Sequence, residues 1–148
     1  MSVRELSQRM DFGLHSISER FGLLFMQWAI GLIYIWFGML KFFPGLSPAE
    51  ILAANTLDTL AMGLVSKDLL LRGLAIFEVL LGVLLITRIK SKLIIAALLM
   101  HMFGTFMPIL IFPNEVFSAP PFGFTIVGQY IMKNFVIIGA ALVLYPKR

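Results

Sequence analysis

A chain of 148 residues that is 59% hydrophobic and only 14% charged, with a mean hydropathy of +0.94, holds more apolar side chain than a soluble domain of its size can cover, since small domains leave much of their surface in water. It has no cysteine, which excludes disulfides, thiol redox chemistry and thiolate metal ligation within this chain. The net charge of +4 is compatible with a polyanionic partner. Its placement instead reads as membrane topology, so no nucleic-acid partner is expected.

Residues 1–20 set Val3, Leu6, Met10, Leu14, Ile17 and Phe21 at intervals of three and four, with Arg4, Glu5, Arg9, Asp11 and Glu19 between them. That spacing predicts an amphipathic helix lying on the membrane surface before the chain turns in. A helical span needs roughly 20 apolar residues, and four stretches qualify, at about 21–43, 68–88, 92–112 and 124–145. The first begins too far from Met1, and lacks the small-residue cleavage pattern, to read as a removed signal peptide. Within it, Gly31 and Gly38 stand nearly two turns apart on one face, where a neighbouring helix can approach closely. Lys41 lies towards the outer end and is long enough to snorkel to the head groups.

Between the first two spans, Ser47, Pro48 and Glu50 have the spacing of a capped helix start. The segment 48–62 is too short and mixed to span, and reads as a second interfacial helix and a candidate lid. The second span carries Glu78, and the basic turn TRIKSK makes the third its antiparallel neighbour. The third carries His101 and, near its outer end, Pro108, which predicts a kink. The loop 113–123 is rich in proline and phenylalanine with the single charge Glu115, and should fold over the bundle mouth. The fourth span carries Gln129 and Lys133 one turn apart.

The expected fold is therefore an all-α membrane protein, a single four-transmembrane-helix bundle with short interfacial amphipathic helices. Arg4, Arg9, Arg20, Arg88, Lys90, Lys92, Lys147 and Arg148 all fall on one side of it. The positive-inside bias makes that side cytoplasmic and places both termini there. An ionised side chain at a span centre costs about 2.5–3.5 kcal/mol, so Glu78, His101 and Lys133 must face one another or a wet cavity. Opposite charge and similar depth predict a Glu78–Lys133 pair. Polar groups lie at or outward of the midplane and the inner halves are apolar. The candidate ligand-binding residues are thus Lys41, Glu78, His101, Gln129 and Lys133, lining a pocket open to the outer side. Too few histidines and carboxylates lie together for a metal, and no phosphate loop, dinucleotide fingerprint or haem-ligating pair is present.

The segments GLIYIWFGMLKFFPGLSPAE, GLAIFEVLLGVLLI and GQYIMKNFVIIGAALVL resemble the DoxX-like family of small four-span membrane proteins over roughly residues 25–145. The shared KF-P, E-x-x-x-G and GQY-x-x-KN signatures fall on Gly38, Lys41, Phe42, Glu78, Gly82, Gln129, Lys133 and Asn134. The resemblance implies a link to quinone redox metabolism or stress tolerance, as an accessory component of a bacterial cytoplasmic membrane and not a complete enzyme. A quinone is flat and amphipathic, and would suit a pocket of Tyr34, Trp36 and phenylalanines with Lys or His donors. Two other functions remain open on sequence. One is a proton-coupled or small-molecule transporter that switches at Glu78 and Lys133. The other is an assembly protein that binds a protein partner, or a second copy, through its N-terminal helix.

Overall fold

A computed structural model describes residues 3–89 and 91–146; the side chains of Val3, Glu5, Leu6, Gln8, Arg9 and Met10 lie outside that description. The expected stripe at Val3, Leu6 and Met10 therefore falls outside it, as do Lys90, Lys147, Arg148 and the Arg9 side chain of the topology argument. Four helical stretches are long and apolar enough to cross a membrane: Asp11–Leu40, Lys67–Ile86, Lys92–Ile111 and Ile126–Leu144. They make a predominantly helical bundle, and their exposed apolar faces suit contact with lipid.

The first helix, α1 (Val3–Leu40), is continuous. This corrects the expectation of a separate interfacial helix before the first span. Between Val3 and Leu40 there is no proline, and Gly13 alone does not stop a helix. At 1.5 Å per residue α1 is about 57 Å long, well beyond the roughly 30 Å hydrocarbon core. A long N-terminal part therefore continues past the core, with Phe12 and Leu14 exposed.

Helix α2 (Glu50–Leu60) is the expected short non-spanning helix. It begins two residues later than the capping pattern suggested, and no side chain caps it. Glu50 Oε2 instead accepts from the Gly45 amide at 2.8 Å. Successive left-handed residues, Met62 (φ 54) and Gly63 (φ 70), end the element, with the Gly63 amide donating to the Asp58 carbonyl at 3.0 Å. Lys67, at the start of the next span, ties back by donating to Asn55 Oδ1 at 2.8 Å.

The second span is α3 (Lys67–Ile86). It packs along α1 more extensively than any other pair of elements, and glycine makes this possible. A Cβ on Gly82 would lie 2.6 Å from the Gly31 carbonyl oxygen, and one on Gly38 would lie 3.0 Å from Glu78 Cβ. Small residues let the backbones meet where lipid supplies no hydrophobic driving force. The face predicted for Gly31 and Gly38 is the α3-facing side.

The third span breaks into α4 (Lys92–Gly104) and α5 (Met107–Ile111). Pro108 has no amide to give the Gly104 carbonyl, so the ladder is interrupted one turn before it. The fourth span divides at Lys133 into α7 (Ile126–Met132) and α8 (Asn134–Leu144). Between these spans lie α6 (Pro113–Val116) and an antiparallel pair, β1 (Phe117–Ala119) with β2 (Gly123–Phe124). Val116 is fully buried there and packs in one cluster with Leu52 and Ile131.

Candidate functional site

The half of the bundle on the side of the chain termini, the inner half, is closed by one apolar cluster that includes Ile30, Leu81, Leu85, Ile95, Leu98 and Ala141. Gln27, a polar group of this half, donates to the Leu85 carbonyl at 2.8 Å. At the outer edge of this cluster the character changes. A cavity of about 260 Å³ lies between α1, α2, α3, the α4–α5 break and the α7–α8 break. Irregular backbone at membrane depth is tolerated where it lines a cavity, and both breaks do so here through Thr105 and Lys133. Asn134 Nδ2 donates to Thr105 Oγ1 at 2.9 Å, tying one break to the other.

Four ionisable side chains form a connected chain at the wall of the cavity. Lys41 Nζ donates to Glu78 Oε2 at 2.6 Å, and both side chains are 9% exposed. His101 Nε2 stands 3.4 Å from Glu78 Oε1. Tyr34 Oη lies 2.8 Å from His101 Nδ1. With Glu78 ionised, the imidazole proton belongs on Nε2, facing the carboxylate, and Nδ1 then accepts from the Tyr34 hydroxyl. The hydrogen bonds and the pair charge compensate groups that would each be costly alone at this depth.

The first correction is to the snorkelling alternative for Lys41, which lines the cavity as a site residue was expected to. It does not snorkel outward; it turns inward to Glu78 from the turn that follows α1. The physical reason is register. The Gly38 contact puts the end of α1 beside Glu78 and Val79, so the Lys41 stem need reach back only about one turn. Lys133 is the second correction, because the expected Glu78–Lys133 pair does not form. Glu78 is occupied by Lys41 and His101, and Lys133 lies instead over the Phe37 and Tyr130 rings, 4.6 and 4.1 Å from their centroids.

Gln129 is the third. It is exposed and does not line the cavity, although it shares a face with Lys133. Its shorter side chain does not make the reach across to Phe37 that the lysine does. Trp36 is likewise 64% exposed and outside the cavity, whereas Tyr34 and Phe37 line it. The predicted lid is divided: α2 lines the cavity through Leu52, Thr56 and Leu57, but the 113–123 loop contributes no lining residue. That loop braces the outer end of the bundle through Val116.

Lys41, Glu78, His101 and Lys133 are thus brought to one cavity, and Gln129 is not. Sequence reasoning left the Tyr34 partner of His101 unnamed and missed the Thr105–Asn134 link. Neither pair has a spacing signal, since each joins residues from different spans. Among the described residues no group of histidines and carboxylates is arranged to hold a metal. Comparison with family models, curated proteins and solved structures returns no match.

Proposed function

We propose that this protein is a DoxX-like membrane component that binds a small amphipathic ligand in the outer half of its bundle, with a quinone as the class suggested by its resemblance. The reading places it in a bacterial cytoplasmic membrane with both termini inside, as an accessory to redox or stress metabolism. The observation that carries it is the cavity itself: mostly apolar walls, a few convergent polar groups and two helix breaks at one level, the usual composition of a small-molecule site. Ile33 and Lys133 both line the cavity and are exposed. It therefore opens sideways between α1 and the α7–α8 helix, where a membrane-dissolved molecule can reach it.

Transport fits less well. The chain from Lys41 to Tyr34 ends on the apolar cluster, and the Gln27 side chain inward of it is bonded to the Leu85 carbonyl. The experiment is purification in a mild detergent followed by extraction and mass spectrometry. The binding reading expects an amphiphile retained at close to one per chain and depleted in Leu57→Trp, which fills the cavity. Recovery of bulk lipid alone with a stoichiometric protein partner would favour an assembly role.

A further inference from the structure

We propose that the cavity selects an amphiphile with an oxyanion head group, a carboxylate or phosphate on an acyl chain, and that Lys133 is the residue that receives it. This rests on the reading above that the cavity binds a small amphiphile, and it puts an anionic head group in place of the quinone that the resemblance suggests. The charged cavity-lining residues are Lys41, Glu78 and Lys133. Glu78 is held by Lys41 at 2.6 Å and approached by His101 at 3.4 Å. That network is internally satisfied, and among the described residues no buried side-chain nitrogen or oxygen lacks a hydrogen-bond partner.

Lys133 is different. Among the described residues no carboxylate lies within ion-pair distance of it. The Phe37 and Tyr130 faces hold the ammonium in place, but a ring quadrupole attracts a cation without neutralising it. With His101 neutral, the cavity therefore carries one positive charge in excess, and it sits at the mouth.

Depth then decides what kind of anion fits. Lys133 follows seven helical residues of α7, about 10 Å inward from the outer end of the span at 1.5 Å per residue. A hydrated inorganic anion would have to shed its water to arrive there. An anion carried on an acyl chain reaches that depth through the lateral opening, with its chain remaining in apolar surroundings. Ile33, Val127 and Ile137 supply apolar lining to the cavity that such a chain would meet. The cavity volume of about 260 Å³ is below the roughly 300–1,000 Å³ of pockets that engulf a drug-sized ligand. It accommodates the head group and the start of a chain, and the remainder would lie in the surrounding lipid.

The test is native mass spectrometry of the full chain in dodecyl maltoside, titrated separately with oleate, methyl oleate, dioleoyl phosphatidate and decylubiquinone. One oxyanion amphiphile should bind per chain at least tenfold more tightly than methyl oleate and decylubiquinone. Tighter oleate points to free fatty acid as the source, and tighter phosphatidate to lipid head groups. Lys133→Met should abolish the preference for oleate over its methyl ester, whereas Lys133→Arg keeps it. Wild-type binding of methyl oleate or the quinone as tight as that of both anions would overturn the inference and leave the binding reading standing. Failure of all four probes to bind would overturn both. The wild-type comparison stands even if a Lys133 variant does not fold.

Discussion

Inside the level of Glu78 the bundle is packed shut; outside it the same helices stand apart around a cavity. The inner half owes its closure to the glycine contact of α1 with α3 and to branched aliphatics such as Leu85, Ile94 and Ile95, all buried. The outer half has interrupted helices, a short non-spanning helix in place of a fifth neighbour and, at its inner edge, the pairing of Glu78 with Lys41 and His101. The contrast teaches that the buried charges are not scattered cross-braces. They occupy the boundary between a sealed region and an open one, which is where a bound molecule would meet them.

The largest expected effect tests that boundary. Removing one member of a buried pair costs roughly 3–5 kcal/mol, so Lys41→Met or Glu78→Gln alone should lower the detergent melting temperature sharply. The double variant should recover much of the loss. Lys133→Met combined with Glu78→Gln should be additive within about 0.5 kcal/mol, as for uncoupled sites. Strong coupling to Lys133 and none to Lys41 would invert the assignment made here.

Next come changes confined to the sealed half. Leu98 is fully buried, and Leu98→Ala should cost about 2–5 kcal/mol while leaving affinity for amphiphiles unchanged. Equal losses of stability and affinity would show the halves to be one unit. Gly82→Ala should cost about 1–3 kcal/mol through overpacking. Gly139→Ala is the control, because nothing lies within 4 Å of the added carbon. It should be neutral or stabilise by up to about 1 kcal/mol through helix propensity. The smallest effect belongs to the tie between the two breaks. Asn134→Leu should cost on the order of 0.6 kcal/mol, typical of a hydrogen bond between spans, and its signature should be altered ligand affinity more than altered melting.

Much of this division was legible in the sequence. Apolar length set out the spans, Pro108 marked the break in the third, and the polar residues clustered outward of the midplane. What composition does not encode is register between helices. Depth counted from the centre of each apolar stretch put Lys133 level with Glu78 and Lys41 near the surface. The α1 helix is far longer than its apolar core, so that centre is a poor reference. The positions of Gly31, Gly38 and Gly82 fix the true register, and they bring Lys41 to Glu78. The same glycines explain the E-x-x-x-G spacing physically: Gly82 receives the α1 backbone one turn inward of the carboxylate that receives Lys41. The fusion of the N-terminal segment into α1 was illegible for a different reason. Amphipathic periodicity identifies a helix face, but it says nothing about whether the chain bends before the next apolar run.

The central claim, that the outer half holds a ligand taken from the membrane, is tested most directly by photolabelling. A long-chain carboxylic acid bearing a diazirine near its head group would be irradiated with the protein in lipid nanodiscs, and the adducts mapped by peptide mass spectrometry. The account predicts adducts concentrated on cavity residues of the outer half, Phe37, Leu57 and Tyr130 among them, and suppressed by excess unlabelled oleate. Adducts spread evenly over the lipid-facing surfaces of all four spans, inner halves included, and indifferent to competitor, would contradict it.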